Sequence, residues 1–310
     1  MTRIAHLLPL AIVALFAAGC GSTTAGSAVV EDIDAIIAAT GTGDFAALVA
    51  QGDASWENRH ERSAVEDAIA VWEEAIHAPT ASGVNRRSVM VPLFVKLSHA
   101  YYWLAHAHER YESTSTPETM MALYERGMDY GAQAISLSND EWRRALLYET
   151  PIAEATVYLT PNDVPAVYWH ATNLGRWGLE RGIATVLSRV SDIKALMDAV
   201  EAMAPEYYYN ASNRYFGVYY SKLPFGNPDV AQSRRRLEAC IEAHPEYLET
   251  RVLLGYDYVL ATQDRATAEE QLNAVLAADV DALPAELYAE NVNAQRRAAE
   301  LLADIDEWVR

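Results

Sequence analysis

Three proline-led segments recur at nearly equal intervals in the second half of the chain: Pro205-Glu206-Tyr207, then Pro245-Glu246-Tyr247 after 40 residues, then Pro284-Ala285-Glu286-Leu287 after another 39. Glycines keep a similar step, with Gly175, Gly217 and Gly255 separated by 42 and 38 residues. A repeat of this length holds one pair of helices, and a lone helix pair cannot bury its apolar side. It must stack on further pairs. The second helix of each unit carries the apolar set such stacking needs: Met197, Val200 and Met203; Leu237, Cys240 and Ile241; Leu272, Val275 and Leu276. Each glycine falls in the middle of a first helix, where a missing side chain lets a neighbouring helix come close.

Helical periodicity continues upstream. Residues 63–77, 89–111 and 118–137 place apolar side chains at steps of three and four with charges opposite, and no run alternates as a strand would. Thr116 before Pro117 and Asn227 before Pro228 predict capped helix starts, as does Asp264 before Arg265. The expected fold is all-α, a tetratricopeptide-like solenoid of stacked antiparallel helix pairs over residues 31–310. The last segment, 288–308, is expected to close it as a capping helix, with Asn291, Ala294, Ala298, Leu301 and Leu302 inward and Arg296, Arg297, Glu300 and Asp304 outward.

The amino end has a different character. Arg3 precedes an apolar run, residues 10–19, that is too short for a permanent membrane span and ends on Cys20. With Ala17, Ala18 and Gly19 before the cysteine, this stretch resembles a bacterial lipobox. The resemblance implies a signal peptide over residues 1–19, lipid attachment at Cys20, a flexible tether over 20–30, and a periplasmic location, with Gly21 favouring the outer membrane. Cys240 then lacks a partner and is expected to be a small buried hydrophobe. With 24 basic against 43 acidic residues, the net charge of −19 makes nucleic acid and anionic membrane surfaces poor partners.

No constellation for catalysis or metal binding stands out. His99, His106 and His108 share one segment, but only the first two lie on one face, and no HExxH, GxSxG or phosphate loop occurs. The chain is therefore expected not to be an enzyme and to need no cofactor or metal. Arg234-Arg235-Arg236 is the single basic cluster, expected to be a solvated helix face rather than a docking site. Aromatic residues are the feature that points toward a ligand. Seven rings fall between positions 207 and 220, with Tyr208, Tyr215 and Tyr219 on one helical stripe. Together with Trp169, Asn173 and Trp177 of the preceding unit, these form either a ligand wall or ordinary interhelical packing.

The run Tyr168-Trp169-His170-Ala171-Thr172-Asn173-Leu174-Gly175-Arg176-Trp177, the Leu223-Pro224 turn and the helix 291–302 resemble the T component of tripartite ATP-independent periplasmic (TRAP) transporters. The resemblance spans roughly residues 93–310; it departs at Phe225-Gly226-Asn227, where the family commonly has Gly-Gly-Asp. It implies a tetratricopeptide-like lipoprotein, a homotrimer with a ligand cleft in each subunit and a central chamber, and a periplasmic solute-binding protein as partner. The expected function is that of an accessory component that docks this protein and holds a small hydrophobic ligand. The alternative is a general outer-membrane scaffold lipoprotein that mediates protein–protein contacts.

Overall fold

The computed structural model describes residues 32–222 and 228–310. The expected signal peptide, Cys20, the tether and the 223–227 turn lie outside the described residues. Within them the chain is all-α. Its helices are α1 (Ile33–Ile36), α2 (Phe45–Trp56), α3 (Arg62–His77), α4 (Arg86–Trp103), α5 (Pro117–Ser138), α6 (Asp140–Leu147), α7 (Ile152–Ala155), α8 (Val164–Arg181), α9 (Ile183–Met203), α10 (Tyr207–Ser221), α11 (Val230–Ala243), α12 (Glu249–Leu253), α13 (Val259–Thr262), α14 (Arg265–Leu276), α15 (Tyr288–Ala303) and α16 (Ile305–Trp308). None of the described helices is long and apolar enough to cross a membrane.

Several boundaries follow from local chemistry. Thr116 and Thr119 exchange side chain-to-backbone hydrogen bonds of 3.3 and 3.0 Å across the start of α5, with Pro117 in the first turn. Asp264 accepts from the Thr267 amide at 3.2 Å to open α14. The start of α11 differs from expectation: the cap is Asp229, which accepts from the Gln232 amide at 2.9 Å, and the helix begins at Val230, beyond the Asn227-Pro228 pair.

Pro205, Pro245 and Pro284 stand between successive helix pairs, α8/α9, α10/α11 and α12–α13/α14, and the last leads into α15. α2 packs on α3, α4 on α5, α5 on α8, α8 on α9 and α10 on α11, so neighbours in sequence are neighbours in space. The repeated glycines divide in two. A Cβ on Gly217 would lie 2.6 Å from Leu237, and one on Gly255 3.0 Å from Leu272, so both are sites of close helix approach. A Cβ on Gly175 would meet only Ile193 at 3.9 Å, an ordinary contact, so the close approach expected there is absent.

Contacts beyond nearest neighbours also occur. Arg59, in the turn between α2 and α3, reaches Glu290 of α15 through a two-pronged ion pair of 3.1 and 2.7 Å. His60 lies edge-on to Tyr288 at 5.1 Å, and Arg296 sits 3.4 Å above the Tyr111 ring. The α2–α3 turn and the segment after α4 thus meet α15, whereas in an open solenoid each unit would touch only the next. Arg297, expected to face outward, is buried and bonded to Glu249 of α12. The outer face of α15 is turned partly inward because other helices cover it.

Candidate functional site

Where α4, α8, α10, α12 and α15 converge lies a small cavity of about 30 Å³, room for a water molecule or two in the arrangement described. Tyr102, Trp103 and His106 form one wall, and Tyr168 and Trp169 of α8 continue it. Tyr208 and Tyr247 also line it, with Glu249, Glu290 and Asn293 supplying polar groups. Trp169 is the keystone of the aromatic packing: His99 stacks on it at 3.7 Å and 14°, and Tyr208 meets it edge-on at 5.0 Å. Ring faces and polar groups share the lining of this small space.

Two local departures from regular helix build this site. α4 runs on into a π turn, Leu104–His108, and the α12 segment into a second, Leu254–Tyr258. Such turns widen the helix by one residue and often mark functional sites. The first carries His106 into the cavity wall. The second carries Asp257, buried and paired with Lys222 at 2.5 Å.

The other departure opens α10. Tyr208, Tyr209 and Asn210 are all left-handed, with φ of 45°, 57° and 58°. Consecutive non-glycine residues rarely hold this conformation, because each brings its Cβ against a carbonyl oxygen. The turn is pinned from behind. The Arg214 guanidinium donates to the Tyr208 carbonyl at 2.6 Å and to that of Tyr209, and Cys240 Sγ donates to the Tyr209 carbonyl at 3.3 Å. Arg214 also lies 4.3 Å above the Tyr247 ring, and Tyr209 stacks on Tyr247 at 5.1 Å. The result aims the Tyr208 ring into the cavity, its hydroxyl 3.3 Å from Glu290.

The six aromatic and amide residues singled out from the sequence are not brought together. Trp169 and Tyr208 line the cavity. Asn173 is fully buried and ties α8 to α4, donating to the Ser98 carbonyl at 3.0 Å, while it fills the space against Gly127. Trp177 is buried in a separate cluster with Met128 and Ile193, Arg181 lying 5.1 Å over its ring. Tyr215 and Tyr219 stack on each other at 6.0 Å and pack against the main core. The left-handed turn removes Tyr208 from their stripe. Sequence reasoning did not single out Tyr102, Tyr168, Tyr247 and His106 as cavity residues: Tyr102 and Tyr168 sit on regular helices whose spacing does not name their partners, and the π turn that places His106 and the turn before α12 that places Tyr247 have no periodic signature.

Burial sets the ionisation of the site. It holds the His99 and His106 rings well below the usual imidazole range, with the positive charges of Arg59 and Arg176 respectively adding to the effect, so both are neutral. Burial likewise pushes the Tyr208 and Tyr247 hydroxyls upward. Cys240 is a free, fully buried thiol. The basic cluster is satisfied locally: Arg234 pairs with Glu238 at 2.7 Å, Arg235 reaches Gln232, and Arg236 bonds to Glu201 and, at 2.9 Å, to Asn213.

The model of one protein family, described as TRAP transporter T-component, matches residues 94–308. A search of curated proteins found no match.

Proposed function

The chain belongs to the TRAP transporter T-component family, and from that membership we propose that it is a periplasmic lipoprotein, anchored through Cys20, that docks a solute-binding protein and shelters a small ligand. The observation that supports a ligand role is the central cavity, walled by Tyr102, Trp169, Tyr208 and Tyr247 and reached from five helices. Its rings exclude water from an apolar body, and the polar rim of Glu290 and Asn293 orients whatever enters. A lipid tether would confine the protein near one membrane and raise the effective concentration of a docked partner.

The test is recovery of the partner and the ligand together. Full-length protein extracted from envelopes in detergent is expected to bring down a periplasmic solute-binding protein, and mass spectrometry of the denatured eluate a small apolar molecule. Recovery of assorted envelope proteins with no binding protein among them would favour a general scaffold instead.

A further inference from the structure

The cavity encloses about 30 Å³, yet six Tyr and Trp side chains line it. Five of them are held by ordinary means. Tyr102 and Trp103 belong to α4, Tyr168 and Trp169 to α8, and Tyr247 is buried with the Arg214 guanidinium 4.3 Å above its ring. Tyr208 alone of the six stands on left-handed backbone, at φ 45°. Its turn lies at the surface: Pro205 and Glu206 are exposed, and Tyr207 to Asn210 are each partly so. One ring of the lining is thus carried by a strained segment in contact with solvent.

Opposing contacts meet at this turn. Three successive L residues each bring a Cβ against a carbonyl oxygen, which favours their reversal to the right-handed form. Arg214 and Cys240 oppose that reversal through the carbonyls of Tyr208 and Tyr209. So does the Tyr208 ring, edge-on to Trp169 at 5.0 Å. Its hydroxyl, however, reaches Glu290 only at 3.3 Å, and Arg59 already engages that carboxylate at 3.1 and 2.7 Å. Neither Arg214 nor Cys240 lines the cavity, so a ligand there would leave the groups that hold the turn untouched. Backbone strain kept at a cavity-lining residue, with its restraints outside the cavity, is the arrangement of a two-state element.

We infer that the Tyr208–Asn210 turn is a gate. Left-handed, it shuts the cavity with the Tyr208 ring. Right-handed, it lengthens the regular part of α10, rotates Tyr208 about its N–Cα bond by about 100°, and withdraws the ring to admit a ligand larger than the enclosed space. This rests on the ligand-holding role proposed above and adds the step that opens the site. It also accounts for a wall so rich in rings around so little room: the wall fits the cavity with Tyr208 removed.

Two readouts on full-length protein test the gate. The first needs no ligand: labelling of Cys240 by N-ethylmaleimide, located by peptide mass spectrometry, because the turn holds this buried thiol. Wild type is expected to label faster than global unfolding, measured in urea, would permit. Asn210→Gly, which favours the left-handed form, slows labelling about 2- to 5-fold, and Asn210→Ala, which disfavours it, speeds labelling by a similar factor. The second readout is binding of the neutral fluorophore N-phenyl-1-naphthylamine. Asn210→Gly is expected to melt at a higher temperature yet bind about 2- to 5-fold more weakly, and Asn210→Ala to melt lower yet bind more tightly. A merely structural turn would not drive stability and affinity in opposite directions. Labelling of wild type no faster than global unfolding overturns the gate, as does equal affinity in all three proteins; with the fluorophore bound, either result leaves the ligand role of the cavity standing. Labelling that follows residue 210 with no fluorophore bound by any of the three overturns the ligand-holding reading, and the inference with it.

Discussion

Tyr208, Tyr209 and Asn210 each hold a conformation that costs an L residue about 1–2 kcal/mol, so their turn persists only because Arg214 and Cys240 grip its carbonyls. Relief of that strain is measurable at the last of the three. Asn210→Gly is expected to stabilise the protein by a few tenths to about 1 kcal/mol, and Asn210→Ile to destabilise it by about 2 kcal/mol or more, read from urea unfolding. A second polar focus governs acid stability. Glu73 accepts from the Tyr101 and Tyr130 hydroxyls at 2.8 Å each and from Arg126 at 2.9 Å. Burial alone would push this carboxyl up, but the hydrogen bonds outweigh it and hold the value below the ordinary 4.5. Its contribution is therefore intact above that ordinary value and is lost as pH falls through the lowered one. Glu73→Gln is expected to flatten the loss of stability on acidification, seen in unfolding midpoints measured from neutral pH downward. The helical character of Tyr215 and Tyr219 was legible in their spacing. That of Tyr208 was not, since nothing in a string of three tyrosines announces a reversal of hand; the cause lies in a side chain six residues later and a cysteine on another helix.

Helix packing was largely readable from the 40-residue step, and two of its glycines do what the spacing implies. Gly217→Ala is expected to cost about 1–3 kcal/mol, because the new methyl group overlaps Leu237, a fully buried side chain with nowhere to retreat. Gly175→Ala, in open contact with Ile193 only, is expected to stabilise by about 0.5–1 kcal/mol through helix propensity. Opposite shifts in thermal midpoint for two members of one sequence pattern would separate packing from periodicity. What periodicity missed were the glycines of α5. A Cβ at Gly127 would come within 2.5 Å of Asn173, and one at Gly131 within 2.8 Å of His170, so α5 and α8 approach as closely as any pair in the repeat. Their spacing of four belongs to one helix face and carries no information about the partner. The π turns escaped for a similar reason, since each arises inside an otherwise regular apolar pattern.

At the scale of the molecule, the chain closes on itself. Arg59 and Glu290 are 231 positions apart, and their side chains are 11% and 4% exposed. Arg59→Met is expected to cost about 3–5 kcal/mol by stranding a buried carboxylate, whereas Arg59→Met combined with Glu290→Leu recovers most of it. A double-mutant cycle by chemical denaturation checks both figures. The family match begins at residue 94, so the segment that supplies Arg59 lies upstream of the shared pattern, although α15 depends on it. Composition carries no sign of this contact, because ion pairs between distant positions leave no trace in a linear pattern. The consequence reaches to biogenesis. Arg59 leaves the ribosome long before Glu290, and it must wait unlatched until α15 follows. Closure of the native architecture is thus deferred until α15 has been made, however early the preceding helices pair.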